Sequence, residues 1–266
     1  MKITAFLKKD FLVAISYRFA FVLQFISMLV YLLILYYIGQ TFSGAISPHL
    51  ERYGGDYFPY VLVGIAVTTF VTVGLGALAQ EVRSAQVQGT LEALLCTPVS
   101  IYTVLIGNSL WAYMTAFVES IVILVVGFAF LGLKLPFINF FFTLLVLALT
   151  FFAFLSVGML SAAFIMIFKR GNPIKFIFGT SSYFLGGVLF PVEVLPKPFQ
   201  FISTILPITH AIKALRELLL VNVQFQEIIP LVINLIIFIV IMAPLSIFFF
   251  KYAVKRAKRD GSLIQF

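Results

Sequence analysis

Residues 137–168 read FINFFFTLLVLALTFFAFLSVGMLSAAFIMIF, a stretch without a single Asp, Glu, Lys or Arg. A helix crosses the hydrocarbon core of a bilayer with about 20 apolar residues. An apolar run longer than that favours a helix over a strand. We therefore predict a membrane-spanning helix that is tilted, or that projects past the headgroups on one side.

The rest of the chain has the same character. Apolar residues make up 62% of the sequence and charged residues 11%, whereas soluble globular domains average about 45–50% and about 25%. A single core of this size could not bury so much apolar surface, so lipid must solvate most of it. The composition excludes a water-soluble protein.

Six stretches approach the length of a span, the fifth of them being short. We predict an all-α integral membrane protein with six transmembrane helices, built as a single transmembrane domain over residues 1–266. Small residues in the second and fourth spans, such as Gly74 and Gly158, allow helices to pack closely within the chain. The predicted spans are Phe19–Ile38, Tyr60–Ala79, Val104–Leu131, Phe137–Phe168, Phe176–Phe190 and Ile229–Phe250.

The chain is basic, with 18 Lys and Arg against 10 Asp and Glu and a formal charge of +8. Most of the basic residues fall before the first span, after the fourth and after the sixth, which is typical of cytoplasmic segments. We expect both termini in the cytoplasm and a location in the inner (plasma) membrane. The basic excess then meets anionic lipid headgroups, and nucleic acid is not an expected partner because no basic patch is interleaved with aromatic residues on a soluble face.

Two segments outside the spans have helical periodicity. Within residues 1–18, apolar side chains recur at helical spacing opposite Lys2, Lys8 and Lys9, which predicts an amphipathic helix on the inner leaflet. Residues 80–98, QEVRSAQVQGTLEALLCTP, predict a second short amphipathic helix that Pro98 ends. A plain connector is the alternative for the second segment. Residues 41–59 are interpreted as an outer loop.

The segment Gly89–Ser100, GTLEALLCTPVS, preceded by Glu81 and Arg83, resembles the ABC-2 family of ATP-binding-cassette transporter permeases. The family pattern is an acidic and a basic residue followed by G-T-L-E-x-L-L-x-T-P-[VL]-S. In that family this stretch is the coupling helix, which sits in a groove of the nucleotide-binding subunit. The resemblance implies that subunit contacts are made by Glu81, Arg83, Gln86, Gly89, Thr90, Leu91, Glu92, Thr97 and Pro98.

Residues 191–220 are too polar for a span and too apolar for an ordinary loop. Prolines break the chain at 191, 196 and 198, and Pro207 stands where the first turn of a helix tolerates it. Apolar residues from Ile208 to Leu219 recur at helical spacing, with Arg216 and Glu217 assigned to the polar face. The segment also resembles the ABC-2 pattern F-P-x-x-x-L-P followed by a second proline motif. The resemblance implies outer re-entrant helices before the last span.

Single polar residues offer few candidate sites. Glu119 is the one carboxylate inside a predicted span, and Tyr31 and His210 are the other candidates for a substrate path. For each there is a structural alternative: a hydrogen bond between helices for Glu119, interfacial anchoring for an aromatic residue. Neither histidine has a second ligand at metal spacing, and Cys96 is the only cysteine, so we expect no metal or catalytic site.

The sequence contains no G-x-x-x-x-G-K-[ST] loop, so ATP and magnesium are expected in a partner subunit and not in this chain. The resemblance implies a permease without enzymatic activity, which pairs with a second copy and with two ATP-binding subunits. It also implies export of an amphipathic or lipidic substrate (drug, lipid or lipid-linked glycan) by alternating access at the dimer interface. A secondary transporter or channel that is not coupled to ATP is the alternative.

Overall fold

The computed structural model describes residues 2–91, 94, 100–130, 137–169 and 171–260. Over these residues the chain is helical and forms no strand, which confirms the predicted all-α membrane class. The helices are α1 (Lys2–Ser16), α2 (Arg18–Leu50), α3 (Tyr57–Val87), α4 (Ile101–Phe130), α5 (Phe137–Phe168), α6 (Pro173–Leu185), α7 (Lys197–Ile205), α8 (Pro207–Arg216) and α9 (Phe225–Asp260).

Within the described residues, five helices are long and apolar enough to cross a bilayer: α2, α3, α4, α5 and α9. The predicted fifth span, Phe176–Phe190, corresponds to most of the shorter helix α6 and the turn that follows it, and the count of six spans is not confirmed. Asn172 begins α6 by accepting a hydrogen bond from the amide of Lys175 at 2.9 Å. The helix ends before a turn in which Gly187 has a φ of 77°. Its 13 residues extend over about 20 Å, less than the bilayer core.

Helix α5 lies at the centre of the bundle, packed against α3 and α9. It approaches α3 so closely that a Cβ atom on Gly158 would collide with the carbonyl oxygen of Gly74. The prediction that small residues allow close packing within the chain is thereby confirmed. On the opposite face, α3 packs against α4, where the Ser120 hydroxyl donates to the carbonyl of Ala66 at 2.6 Å.

Two buried apolar clusters lie along the bundle. The first, which we call the outer cluster, joins α3 and α5 to α8 and to the start of α9; Phe70, Phe154 and Ile212 belong to it. The second, which we call the inner cluster, joins the end of α3 to α4, α5 and the end of α9; Val82 and Phe250 belong to it.

The amphipathic segments form helices, but two boundaries differ from the prediction. The N-terminal helix is confirmed as α1, and the two helices expected within residues 191–220 are confirmed as α7 and α8. Residues 80–87, however, continue α3 and do not form a separate helix with the residues that follow. Most of the predicted loop 41–59 is also helical, since α2 extends to Leu50 and α3 begins at Tyr57. Apolar patterning marks where a membrane ends, whereas the hydrogen-bonded helix continues into polar sequence.

Candidate functional site

The first candidate site is the turn that ends α3, formed by residues 85–91. Gly89 has a φ of 66°, a left-handed conformation that glycine adopts without steric cost. The amide of Thr90 donates to the carbonyl of Ala85 at 3.0 Å, and the amide of Gly89 donates to that of Gln86 at 3.1 Å. These two bonds form a Schellman motif, so Gly89 marks the end of α3.

The predicted subunit-contact residues divide into two groups by burial. Arg83, Gly89 and Thr90 are exposed, whereas Gln86 and Leu91 are buried within the chain itself. The side-chain amide of Gln86 donates to the backbone carbonyl of Ile165 in α5 at 3.5 Å. Leu91 belongs to the inner cluster. Three more of the predicted residues, Glu92, Thr97 and Pro98, lie outside the described residues.

Glu81 stands between the two groups and faces α1 and α4. Its carboxyl group lies near the Asn108 side chain of α4 and the Lys9 ammonium group of α1. Helix α1 is itself packed on α4. The Phe6 ring of α1 lies against Gly107 of α4, in the space that a Cβ atom on Gly107 would occupy. Leu91 of the turn thus shares a buried cluster with residues of α4, α5 and α9, while Glu81, farther back on α3, lies next to α1 and α4.

The second candidate site is a membrane cavity of about 430 Å³ that lies between α2 and α4 next to the end of α1. Glu119 of α4 lines it, and the Gln24 amide of α2 donates to this carboxylate at 3.5 Å. Apolar side chains make up most of the remaining wall.

The other two candidates for a substrate path lie elsewhere. Tyr31 is exposed on α2, and His210 is half-buried on α8 with its Nε2 atom 2.8 Å from the carbonyl oxygen of Thr204. Burial lowers the pKa of His210, so the ring is neutral at pH 7. Neither Tyr31 nor His210 lines the cavity beside Glu119, and the structure does not bring the three residues into one site.

A buried arginine is the functional-site candidate that the sequence analysis assigned to the wrong surface. Arg216 is only 3% exposed, although it had been assigned to the polar face of α8. Its guanidinium group donates to the carbonyl of Tyr60 at 2.9 and 3.1 Å and to that of Val188 at 3.1 Å. It also lies 3.3 Å from the centre of the Tyr60 ring, a cation–π contact. Burial lowers the pKa of Arg216 to about 10, so the group stays charged at pH 7.

A second buried charge adjoins it. Glu217 is 4% exposed and forms an ion pair with Arg52 at 2.6 Å, which ties the end of α8 to the connection between α2 and α3. The proline motif around residue 207 could have signalled a packed helix here, but it gave no sign that two adjacent charges point inward. These contacts fix α8 to the start of α3 and to the bend at residues 186–191.

The chain is similar to one protein family and to several known membrane proteins. The family model described as ABC-2 type transporter matches residues 1–220, a range that contains the turn after α3 and Arg216. Nodulation protein J of Rhizobium meliloti (strain 1021) is 30% identical over 168 residues, and that of Sinorhizobium fredii (strain NBRC 101917 / NGR234) is 28% identical over 168 residues. Each match covers 63% of this chain and 63% of the relative.

A third relative is the inner membrane transport permease YadH of Escherichia coli (strain K12), 24% identical over 166 residues, which are 62% of this chain and 64% of that protein. The chain therefore matches somewhat less than two thirds of the length of these curated relatives. The family model, in contrast, covers most of the chain, from α1 to the end of α8. On that coverage, this multi-pass membrane protein belongs to the ABC-2 type transporter family.

Proposed function

We propose that the chain is the permease subunit of an ATP-driven exporter in the plasma membrane. The observation that carries the proposal is the turn at residues 85–91. Gly89 and Thr90 of the turn, together with Arg83 near the end of α3, are exposed to a partner, while Gln86 and Leu91 are packed into the bundle. A surface of this kind receives a movement outside the membrane and transmits it to the helices inside.

The partner that fits this surface is an ABC ATP-binding subunit. The family membership supports it, and the sequence contains no phosphate-binding loop of its own. ATP and magnesium then belong to the partner, whose residues provide the hydrolysis chemistry. The chain contacts the partner through the exposed Arg83, Gly89 and Thr90, and through Glu92, Thr97 and Pro98, which lie outside the described residues. The turn is positioned against α1, α4 and α5 by Glu81, Gln86 and Leu91.

The complex is proposed to contain two copies of the chain and two ATP-binding subunits. In support, the first spanning helix contributes little to the core of one copy: side chains such as Leu23, Ile26 and Ile34 of α2 are about half exposed. Symmetric pairing of two identical chains would use such a face in both copies. Both termini are placed on the cytoplasmic side, the same side as the turn after α3.

Transport is proposed to occur outward by alternating access between the two copies. Closure of the ATP-binding subunits would press on both turns, and the inner cluster would transmit the change to α5 and α9. The short helices α7 and α8, held by Arg216, would shape the outer exit. The apolar helix surfaces suit an amphipathic or lipidic substrate, with Tyr31, Glu119 and His210 as candidate path residues.

Co-purification tests this assignment. The full chain, tagged at its C-terminus and extracted with a mild detergent, is expected to carry a protein with a Walker A motif. Native mass spectrometry should give two copies of each chain. Isolation of the chain alone, or with partners that lack a nucleotide-binding motif, would contradict the proposal and favour a transporter or channel that works without ATP.

A further inference from the structure

The first half of α2 stands away from the bundle, and this creates a wedge-shaped cavity. In its second half α2 is packed down, with Leu32 and Leu35 buried and the Tyr36 ring 5.5 Å from that of Phe58 in α3. Nearer α1 the side chains of α2 are exposed, Phe19 at 74%. The gap against α4 is the cavity of about 430 Å³, which lies within the size range of small-molecule sites, about 300–1,000 Å³.

A single carboxylate and a neutral side-chain amide lie in this apolar space. Glu119 accepts a hydrogen bond from Gln24 at 3.5 Å, which is a long contact. No Lys, Arg or His in the described part of the chain forms an ion pair with Glu119. A charged carboxylate among membrane helices is unfavourable unless it is paired. A ligand that brought a positive charge would offset that cost.

The wall around the carboxylate suits an alkyl chain. Phe25 and Met28 of α2 face Trp111 and Met114 of α4 across the cavity. Aromatic and thioether side chains adapt to apolar ligands of varied shape. Ala14 and Tyr17, at the junction of α1 and α2, line the same cavity. One end of the cavity is therefore close to the membrane surface on which α1 lies.

We propose that this cavity binds an amphiphile with an ammonium head, which enters from the leaflet next to α1. The head lies against the Glu119 carboxylate and the Gln24 amide, and the tail lies between Phe25, Met28 and Met114. The inference rests on the proposed function, since it names the class of molecule that the exporter would take up from the membrane. Charge complementarity selects the cationic head over an anionic one.

Trp111 provides a direct signal, because it is the only tryptophan in the sequence and lines the cavity. The full chain is held in micelles of dodecyl maltoside, a nonionic detergent that carries neither an ammonium group nor an indole ring. Dodecylamine with a brominated tail is the probe, and dodecanol with the same brominated tail is the neutral comparison. Bromine next to the indole ring quenches its fluorescence, so the concentration at half-quenching measures occupancy.

The charge at residue 119 decides the outcome. With Glu119→Gln, we expect the amine concentration at half-quenching to rise about tenfold, because a charge-assisted hydrogen bond is lost. The matched control is Glu227→Gln, which removes a carboxylate of α9 outside the cavity and should leave the value unchanged. If Glu119→Gln does not fold, Gln24→Leu on the opposite wall should weaken binding of the amine several-fold.

Equal quenching by the amine and the alcohol, with no change in Glu119→Gln or Gln24→Leu, would overturn the inference and leave a gap filled by ordinary lipid. The measurement uses no ATP-binding subunit, so a failure of the cavity proposal can be distinguished from a failure of the proposed function. Charge-dependent quenching in a chain that assembles with no such subunit would support the cavity while rejecting the exporter. An assembled complex without charge-dependent quenching would do the reverse.

Discussion

Arg216 holds together three parts of the chain that are far apart in sequence. Its guanidinium group bonds the carbonyls of Tyr60 and Val188 and stacks on the Tyr60 ring. A carbonyl that is buried without a donor costs about 1–3 kcal/mol. Loss of this side chain would leave the Val188 carbonyl in that state, whereas the Tyr60 carbonyl lies inside α3 and keeps its helical hydrogen bond.

We expect Arg216→Met to lower the free energy of unfolding by about 3 kcal/mol. The free energy of unfolding of Arg216→Lys should lie between those of Arg216→Met and the wild type, because a single ammonium group cannot reproduce the planar, multidentate contact. Thermal unfolding in detergent micelles measures the change, and Lys197→Met, which removes an exposed cation from α7, is the control. Equal midpoints for Arg216→Met and Lys197→Met would contradict this role.

Glycines in the spanning helices differ in what surrounds them. A Cβ on Gly158 would collide with the Gly74 backbone, whereas a Cβ on Gly179 of α6 would meet only the end of the Leu75 side chain at 3.8 Å. We expect Gly158→Ala to destabilise the protein by at least about 1–3 kcal/mol, since α3 and α5 must move apart.

The same substitution at Gly179 should be neutral or stabilising by up to about 1 kcal/mol, because alanine restricts the unfolded chain and favours a helix. Unfolding midpoints of the two variants, measured side by side, test the packing of α3 on α5. Similar destabilisation at both positions would show that the close approach at Gly158 is not a feature of the folded bundle.

The geometry of the turn after α3 depends on one residue, Gly89. Gly89 adopts a left-handed conformation in the Schellman motif, which asparagine tolerates and a β-branched residue does not. We expect Gly89→Val to open the turn, while Gly89→Asn should preserve it.

Hydrogen exchange followed by mass spectrometry measures this opening. In Gly89→Val the amides of residues 89 and 90, which are bonded to Gln86 and Ala85, should exchange faster than in the wild type. Peptides from the middle of α3 should remain unchanged. Unaltered exchange at residues 89 and 90 in Gly89→Val would mean that the motif does not depend on glycine.

The sequence was a good guide to the existence of these elements and a poorer guide to their ends. Apolar runs and helical periodicity predicted α1, α5, α7 and α8, because those patterns arise from the surface that each helix buries or exposes to lipid. The continuation of α3 to Val87 was missed, since polar residues past the headgroups carry no apolar signal. The predicted fifth span extends past the end of α6, because the residues that follow the helix are also apolar. In the structure those residues form a turn.

At the candidate sites the same limit applies. The sequence motif indicated Gly89 as a contact residue inside a predicted helix of residues 80–98 but did not predict the turn there, and the lone carboxylate in a predicted span indicated Glu119. It did not indicate that Gln86 and Leu91 face the bundle, because only the orientation of α3 against α5 determines that. Arg216 was assigned to the surface, since burial of a charge requires partners that only the tertiary structure supplies.

For the molecule as a whole, the turn after α3 and the outer contacts of Arg216 lie at opposite ends of the bundle. The inner cluster connects the turn to α5 and α9, and the outer cluster connects the same two helices to α8. Helices shared by both clusters can carry a displacement from one end to the other, since packed cores deform little. This arrangement is the structural basis for proposing that an ATP-binding subunit acts on the outer helices.

The central claim is that the ATP-binding subunit binds the exposed turn and the neighbouring Arg83 of α3. The affinity of that subunit for the nanodisc-embedded chain tests this claim most directly. The account predicts that Arg83→Glu weakens binding at least about tenfold, as expected for a reversed charge at a contact, and lowers the ATPase rate of the complex. Lys197→Glu, the same charge reversal at exposed α7, should change neither. Wild-type affinity and ATPase rate in Arg83→Glu would contradict the account.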